Sequence, residues 1–302
     1  MSERQLASSD AVPSILSAMT QIDQFESAFK SASKTLYEHS TVPFASVLVA
    51  TDRPRVEAEA YAERVRDFLA ILGSEISWQT VIGEEYANAE ELLSIVQEAA
   101  PNLVVTYRNL HTTSWKFPHS LGSCVNVLTQ VGEAPVLLLP HPLAGRQLDH
   151  ALEDTDRVMC VAGHLTGDHR LVNHGARFTV RGGTLYLAHV EDDTVFERYM
   201  ETISKIPEID TELARETIAL QLLKEPQDYI ESCRSVLEEA GVDLRVEEVV
   251  TLGHRVSTYR DFVEQYELDL LVLHTRDEDQ LAMHGLAYPL AVELREIPLL
   301  LL

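Results

Sequence analysis

The chain has 302 residues, 45% hydrophobic and 24% charged, the make-up of a soluble globular protein with room for two domains of about 150 residues. A formal net charge of −24 argues against nucleic acid, which needs clustered Lys and Arg, and against an anionic membrane surface. It reads as solubility through self-repulsion, of the kind suited to a salty cytoplasm, and any docking partner should offer a basic patch.

No run approaches the ~20 apolar residues of a membrane-spanning helix, so membrane insertion is not expected. Cys124, Cys160 and Cys233 lie far apart without CxxC spacing and there is no signal pattern, which predicts a reducing, cytoplasmic setting with the thiols as small core residues.

In chain order, Ile15, Met19, Ile22, Phe25, Phe29 and Leu36 recur at helical spacing and predict an amphipathic helix over 14–37. ASVLVATD at 45–52 is a buried strand. Ala58, Ala62, Val65, Phe68, Leu69 and Leu72 mark the inner face of the helix that follows, with Gly73 as its stop. A strand at 76–83, a helix at 89–100 and a strand at 103–107 come next. A loop over 109–120 then leads to LGSCVNVLTQVGEAPVLLLP at 121–140, a helix, a proline stop and an aliphatic strand.

Residues 141–155 look like a linker, after which the scheme restarts. RVMCVAG at 157–163 is a strand, 171–178 a helix and 184–190 a strand. A helical stretch over 195–240 is expected to break near Pro207 and Pro226. A strand at 244–253, a helix at 258–266 and a strand at 268–274 lead to HGLAYPLAVELREIPLLLL at 284–302. Thirteen positions separate Gly122 from Pro135 and Gly285 from Pro298, and Gly83 and Gly253 both close a strand. The chain therefore reads as a duplicated α/β unit, each half an open parallel sheet covered on both faces. The first half lacks a counterpart for the strand at 184–190 and its long helix. The helix around Phe25 and Phe29 is expected to cover the face this leaves open. The aliphatic strands at 136–139 and 299–302 are expected to pair with each other across a pseudo-twofold, or with a second chain.

These features, in this order and twice over, resemble a tandem universal stress protein across 45–140 and 157–302. The resemblance implies two adenine nucleotide alpha hydrolase-like sandwiches, the first with a reduced strand set. Its boundaries are an N-terminal helix at 1–44, domain 1 at 45–140, a linker at 141–156 and domain 2 at 157–302. The two would form a pseudo-dimer and the chain a homodimer. The implied role is a regulatory or binding module in stress response without catalysis, slow ATP hydrolysis being the enzymatic alternative.

The family's nucleotide signature, G-x2-G-x9-G-[ST], lets backbone N–H groups approach phosphates at a helix N-terminus. Gly122 and Ser123 match its end, but Asn109 and Thr112 stand where the two earlier glycines belong. Asp52 matches the acidic residue the family sets near adenine; in the second half its counterpart is Gly163 or His164, and there Leu286 replaces the hydroxyl residue, so the second half has lost the signature. The resemblance thus implies ATP or AMP in domain 1, on Asp52, Thr112, Gly122 and Ser123, as an alternative to a module without nucleotide. Asp52 as a helix cap or turn residue is the plainer reading.

In an open α/β sheet ligands bind beyond the carboxyl ends of the strands. There the second half gathers His164, His189, His254 and His274, with His169 beside Asp168. His164, His169, His189 and His274 are the material of a zinc site or a small-ligand site. The plain alternative is polar strand-end residues bonded to backbone. GxSxG, HExxH and Walker sequences are absent. Ser123-Cys124 reads as a helix cap followed by a buried thiol rather than a nucleophile. Asp192-Asp193 and Glu84-Glu85 read as acidic residues at helix starts.

Overall fold

Unbroken aliphatic runs become strands buried from end to end: β3 (Leu103–Tyr107), β4 (Val136–Leu139), β8 (Leu270–Leu273) and β9 (Leu299–Leu301). β1 (Ser46–Ala50) and β5 (Arg157–Ala162) are buried after their first residue. β6 (Thr184–Asp192) is buried along most of its length. β2 (Ser77–Val81) and β7 (Arg245–Gly253) are more exposed, as strands with a neighbour on one side only should be. The computed structural model describes residues 35–116, 120–145, 148–275 and 286–302.

Eight α-helices lie among the described residues: α1 (Arg55–Phe68), α2 (Ala89–Ala99), α3 (Ser123–Val131), α4 (His169–Phe178), α5 (Asp193–Ile203), α6 (Thr211–Glu239), α7 (Arg255–Gln265) and α8 (Ala287–Glu293). Four start on a side chain that accepts the helix's free N–H groups: Asn88 for α2, Asp168 for α4, Asp192 for α5 and Asp210 for α6. Asp192 thus does at α5 what its place in the sequence foretold.

All nine strands form one sheet in the order β2-β1-β3-β4-β9-β8-β5-β6-β7, parallel except where β4 meets β9. There Val136, Leu137 and Leu138 stand opposite Leu301, Leu300 and Leu299, so the expected pairing of the two aliphatic strands is present. β9 also pairs with β8 and is an interior strand. Because β4 and β9 run antiparallel, the carboxyl ends of β1–β4 and of β5, β6, β7, β8 and β9 lie at opposite edges. By the right-handed rule for crossovers between parallel strands, the strand order puts α4 and α6 on one face of the sheet and α7 and α8 on the other.

Four expectations are corrected. The first half does have one strand fewer than the second, but β2, matched to β7 by its closing glycine, lies directly against β1, the place β6 takes beside β5. Pro226 does not break its helix: α6 runs through it, and buried Tyr229, Ile230, Cys233 and Leu237 hold that stretch on the sheet. One missing N–H bond is outweighed by this burial. The helix expected over 14–37 does not include 35–37, since 35–44 have no regular structure; 14–34 lie outside the described residues. Ser123 opens α3 without a side-chain cap. Phe25, Phe29, His284 and Gly285 lie outside the described residues. Among the described residues no helix is long and apolar enough to cross a membrane.

Candidate functional site

At the carboxyl edge of the first half, Thr51 and Asp52 follow β1, Tyr107 ends β3, and α3 begins after Gly122. The fold brings Asp52, Thr112, Gly122 and Ser123 to this one edge, but the loop there is bonded to itself. Tyr107 donates its hydroxyl to Asp52 Oδ1, and His111 N–H donates to Oδ2 at 2.9 Å, so both carboxylate oxygens are engaged. Thr51 Oγ1 lies 2.7 Å from the Tyr107 hydroxyl. Burial, then the bond to Asp52, pushes the Tyr107 phenol up, so it stays a proton donor.

Asn109 takes the place of the signature's first glycine with φ 61°, in the left-handed region that Asn tolerates, and His111 follows at φ 58°. Asn109 N–H donates to Leu121 O at 2.9 Å, and Thr112 N–H to Asn109 O at 3.1 Å. Ser114 N–H donates to Thr112 Oγ1 at 3.3 Å. Gly122 is required twice over: its φ is 88°, and a Cβ would stand 2.8 Å from Asn109 Cα. Ser123 is exposed beside it, while Cys124 is buried, and burial raises its thiol pKa.

Beside this loop lies a depression of about 320 Å³ lined by Glu84, Glu85, Glu91, Tyr86 and His111, among others. The Tyr86 ring stands edge-on to His111 at 4.6 Å. Three carboxylates make it suited to cations and poorly suited to phosphates. His141, after β4, packs edge-on to Tyr107 at 4.9 Å, and burial pushes its imidazole down to about 4, so it is neutral. Arg108, buried at the end of β3, donates from Nε (3.1 Å) and Nη2 (2.7 Å) to Ala291 O at the end of α8, tying the halves together. The sequence reading passed over Tyr107, His111 and Arg108. A hydroxyl at a strand end facing an acid at the neighbouring strand end was the available signal.

The candidate metal ligands lie at the opposite edge, and three of the four have partners of their own. His274 Nε2 is 2.9 and 2.8 Å from the oxygens of Asp168, which also caps α4. His169 Nδ1 accepts from Glu38 N–H at 3.2 Å and lies 3.1 Å from the Tyr229 hydroxyl. His189, lowered in pKa by burial, has Nε2 3.3 Å from Glu191 Oε2. His164 is exposed. Among the described residues no three His, Cys, Asp or Glu donors converge here; the one such group is Asp154, Asp156 and Asp269, at the amino ends of β5 and β8. Asp269 is buried and accepts Arg157 N–H at 2.9 Å.

No family model matches the sequence, and no curated protein matches it either. Similar solved structures include a functionally unknown protein from Pseudomonas aeruginosa PAO1, at 13% identity over 86% of this chain and 92% of that one, with a TM-score of 0.45. A universal stress protein from Archaeoglobus fulgidus DSM 4304 is similar at 13% identity over 82% of this chain and 76% of that one, with a TM-score of 0.44. At this identity and these TM-scores neither likeness assigns a family, a ligand or a residue role to this chain.

Proposed function

We propose that this chain is a universal stress protein-like regulatory or binding module, two unequal halves fused as a pseudo-dimer, acting in stress response without catalysis and without nucleotide in its first half. The observation that carries this is the self-bonded turn from Asn109 to Ser114, joined to Leu121 and Asp52. The N–H groups of Asn109, His111, Thr112 and Ser114, which a phosphate would need, are given to Leu121, Asp52, Asn109 and Thr112. Asp52, the residue for adenine, is held by Tyr107 and His111. The neighbouring depression is acidic, so a polyphosphate would meet repulsion as well as spent donors.

One observation favours the rival reading, ATP or AMP binding: α3 starts with no side-chain cap and with Ser123 exposed, which leaves a helix N-terminus open to an anion. Equilibrium dialysis of the purified chain against millimolar ATP and AMP separates the two. No stoichiometric uptake is expected. Stoichiometric uptake that Gly122→Ala removes would overturn the proposal in favour of the nucleotide site.

A further inference from the structure

Residues 36–44 run along the groove between α4 and α6 without regular structure. Among the described residues no backbone–backbone hydrogen bond holds them. Their attachment is through side chains, and Asn173, 5% exposed, makes most of it. Its Oδ1 accepts Ser40 N–H at 2.9 Å and its Nδ2 donates to Glu38 O at 3.2 Å, so one carboxamide reads a carbonyl and an N–H two residues apart, as a neighbouring strand would. Nδ2 also reaches Ser40 Oγ at 3.1 Å. His169 Nδ1 accepts Glu38 N–H on the other side.

Side-chain selection comes from Tyr37, 3% exposed. Its hydroxyl donates to Asn173 Oδ1 at 2.6 Å, its ring stands edge-on to Tyr229 at 6.4 Å, and its N–H donates to Ser232 Oγ at 3.0 Å. Phe44 closes the segment, edge-on to Phe178 at 5.5 Å. A buried carboxamide matched to a backbone carbonyl and N–H two residues apart and a slot for one tyrosine have the form of a peptide receptor with its ligand in place.

We propose that the groove between α4 and α6 is a binding site for a Tyr-x-x-Ser segment, filled here in cis by residues 37–40, and that its partner in trans is the same segment of a second copy of this chain. A second copy presents an identical ligand, and reciprocal exchange closes into a two-fold pair. Because side chains alone hold the segment, exchange breaks no strand pairing and leaves the sheet intact.

The test measures fluorescence anisotropy of a labelled peptide of residues 36–44 (LYEHSTVPF) with the full-length chain. Wild type, its groove filled, should bind weakly. Tyr37→Ala in the full chain should bind the peptide about tenfold more tightly, the scale of a lost buried tyrosine contact. Adding Asn173→Ala should return binding to the wild-type level, and a peptide with Ala for Tyr should not bind. If Tyr37→Ala fails to fold, Tyr37→Phe, which loses only the hydroxyl bond, should still show a several-fold gain. Peptide binding by the folded variant no tighter than by wild type, or unaffected by Asn173→Ala, would overturn the proposal.

Discussion

Asp269 is 3% exposed and has carboxylate oxygens of Asp154 and Asp156 within 4.8 Å. The nearby Arg157 guanidinium is bonded to Glu267 and lies 3.8 Å from Asp156, with no bond to the Asp269 carboxylate. Burial, then a hydrogen bond with Asp156, pushes the Asp269 carboxyl up to about 8. The folded chain therefore keeps a proton there that the unfolded chain has lost above about pH 4. Its stabilising effect is complete below the unfolded value and declines as pH rises through the folded one, at up to about 1.4 kcal/mol per pH unit. Asp269→Asn keeps an acceptor for Arg157 N–H without the titration. Wild type should thus lose stability relative to the variant between pH 5 and pH 8 in urea melts, by this linkage; a constant gap would show that the carboxyl is already ionised. Asn109 teaches a related lesson at this scale. The sequence marks it as a lost glycine, yet its left-handed φ keeps the turn while its N–H is spent on Leu121.

Among the elements, β9 shows what an aliphatic run of three implies. Leu300 is wholly buried, paired with Leu137 on one side and Val272 on the other. Leu300→Ala removes packing at the joint of the two halves and should lower unfolding free energy by about 2–5 kcal/mol, read from the urea midpoint at unchanged slope. A loss within experimental error would mean that β9 does not hold the sheet together. α6 carries the opposite moral. A proline in a helical pattern predicts a break, but Pro226 sits where burial of the following turns decides the outcome.

For the whole molecule, the net charge of −24 is a standing repulsion that folding concentrates. Added NaCl, by screening it, should raise the melting temperature from low ionic strength up to molar salt. A flat or falling melting temperature would show that the acidic side chains are already neutralised by pairing within the fold. The antiparallel β4–β9 joint also sets the two candidate sites at opposite edges of one sheet. A ligand at one edge therefore has no direct contact with the other, and Arg108, reaching from β3 to the end of α8, is a link between the halves.

The sequence by itself determined the strands, most of the helices and their alternation, because periodicity, caps and apolar runs act over a few residues; that the two aliphatic endings pair within one chain was decided by the tertiary structure. It also brought Asp52, Thr112, Gly122 and Ser123 to one edge, since the ends of parallel strands share an edge whatever the side chains do. Only the tertiary structure decided what those groups are free to bind. Asp52 meets Tyr107 and His111 across 55 and 59 residues of chain, and His274 meets Asp168 across 106. Whether a carboxylate or an N–H faces a ligand or a neighbour depends on how distant loops close over one another. Local spacing carries no record of that closure.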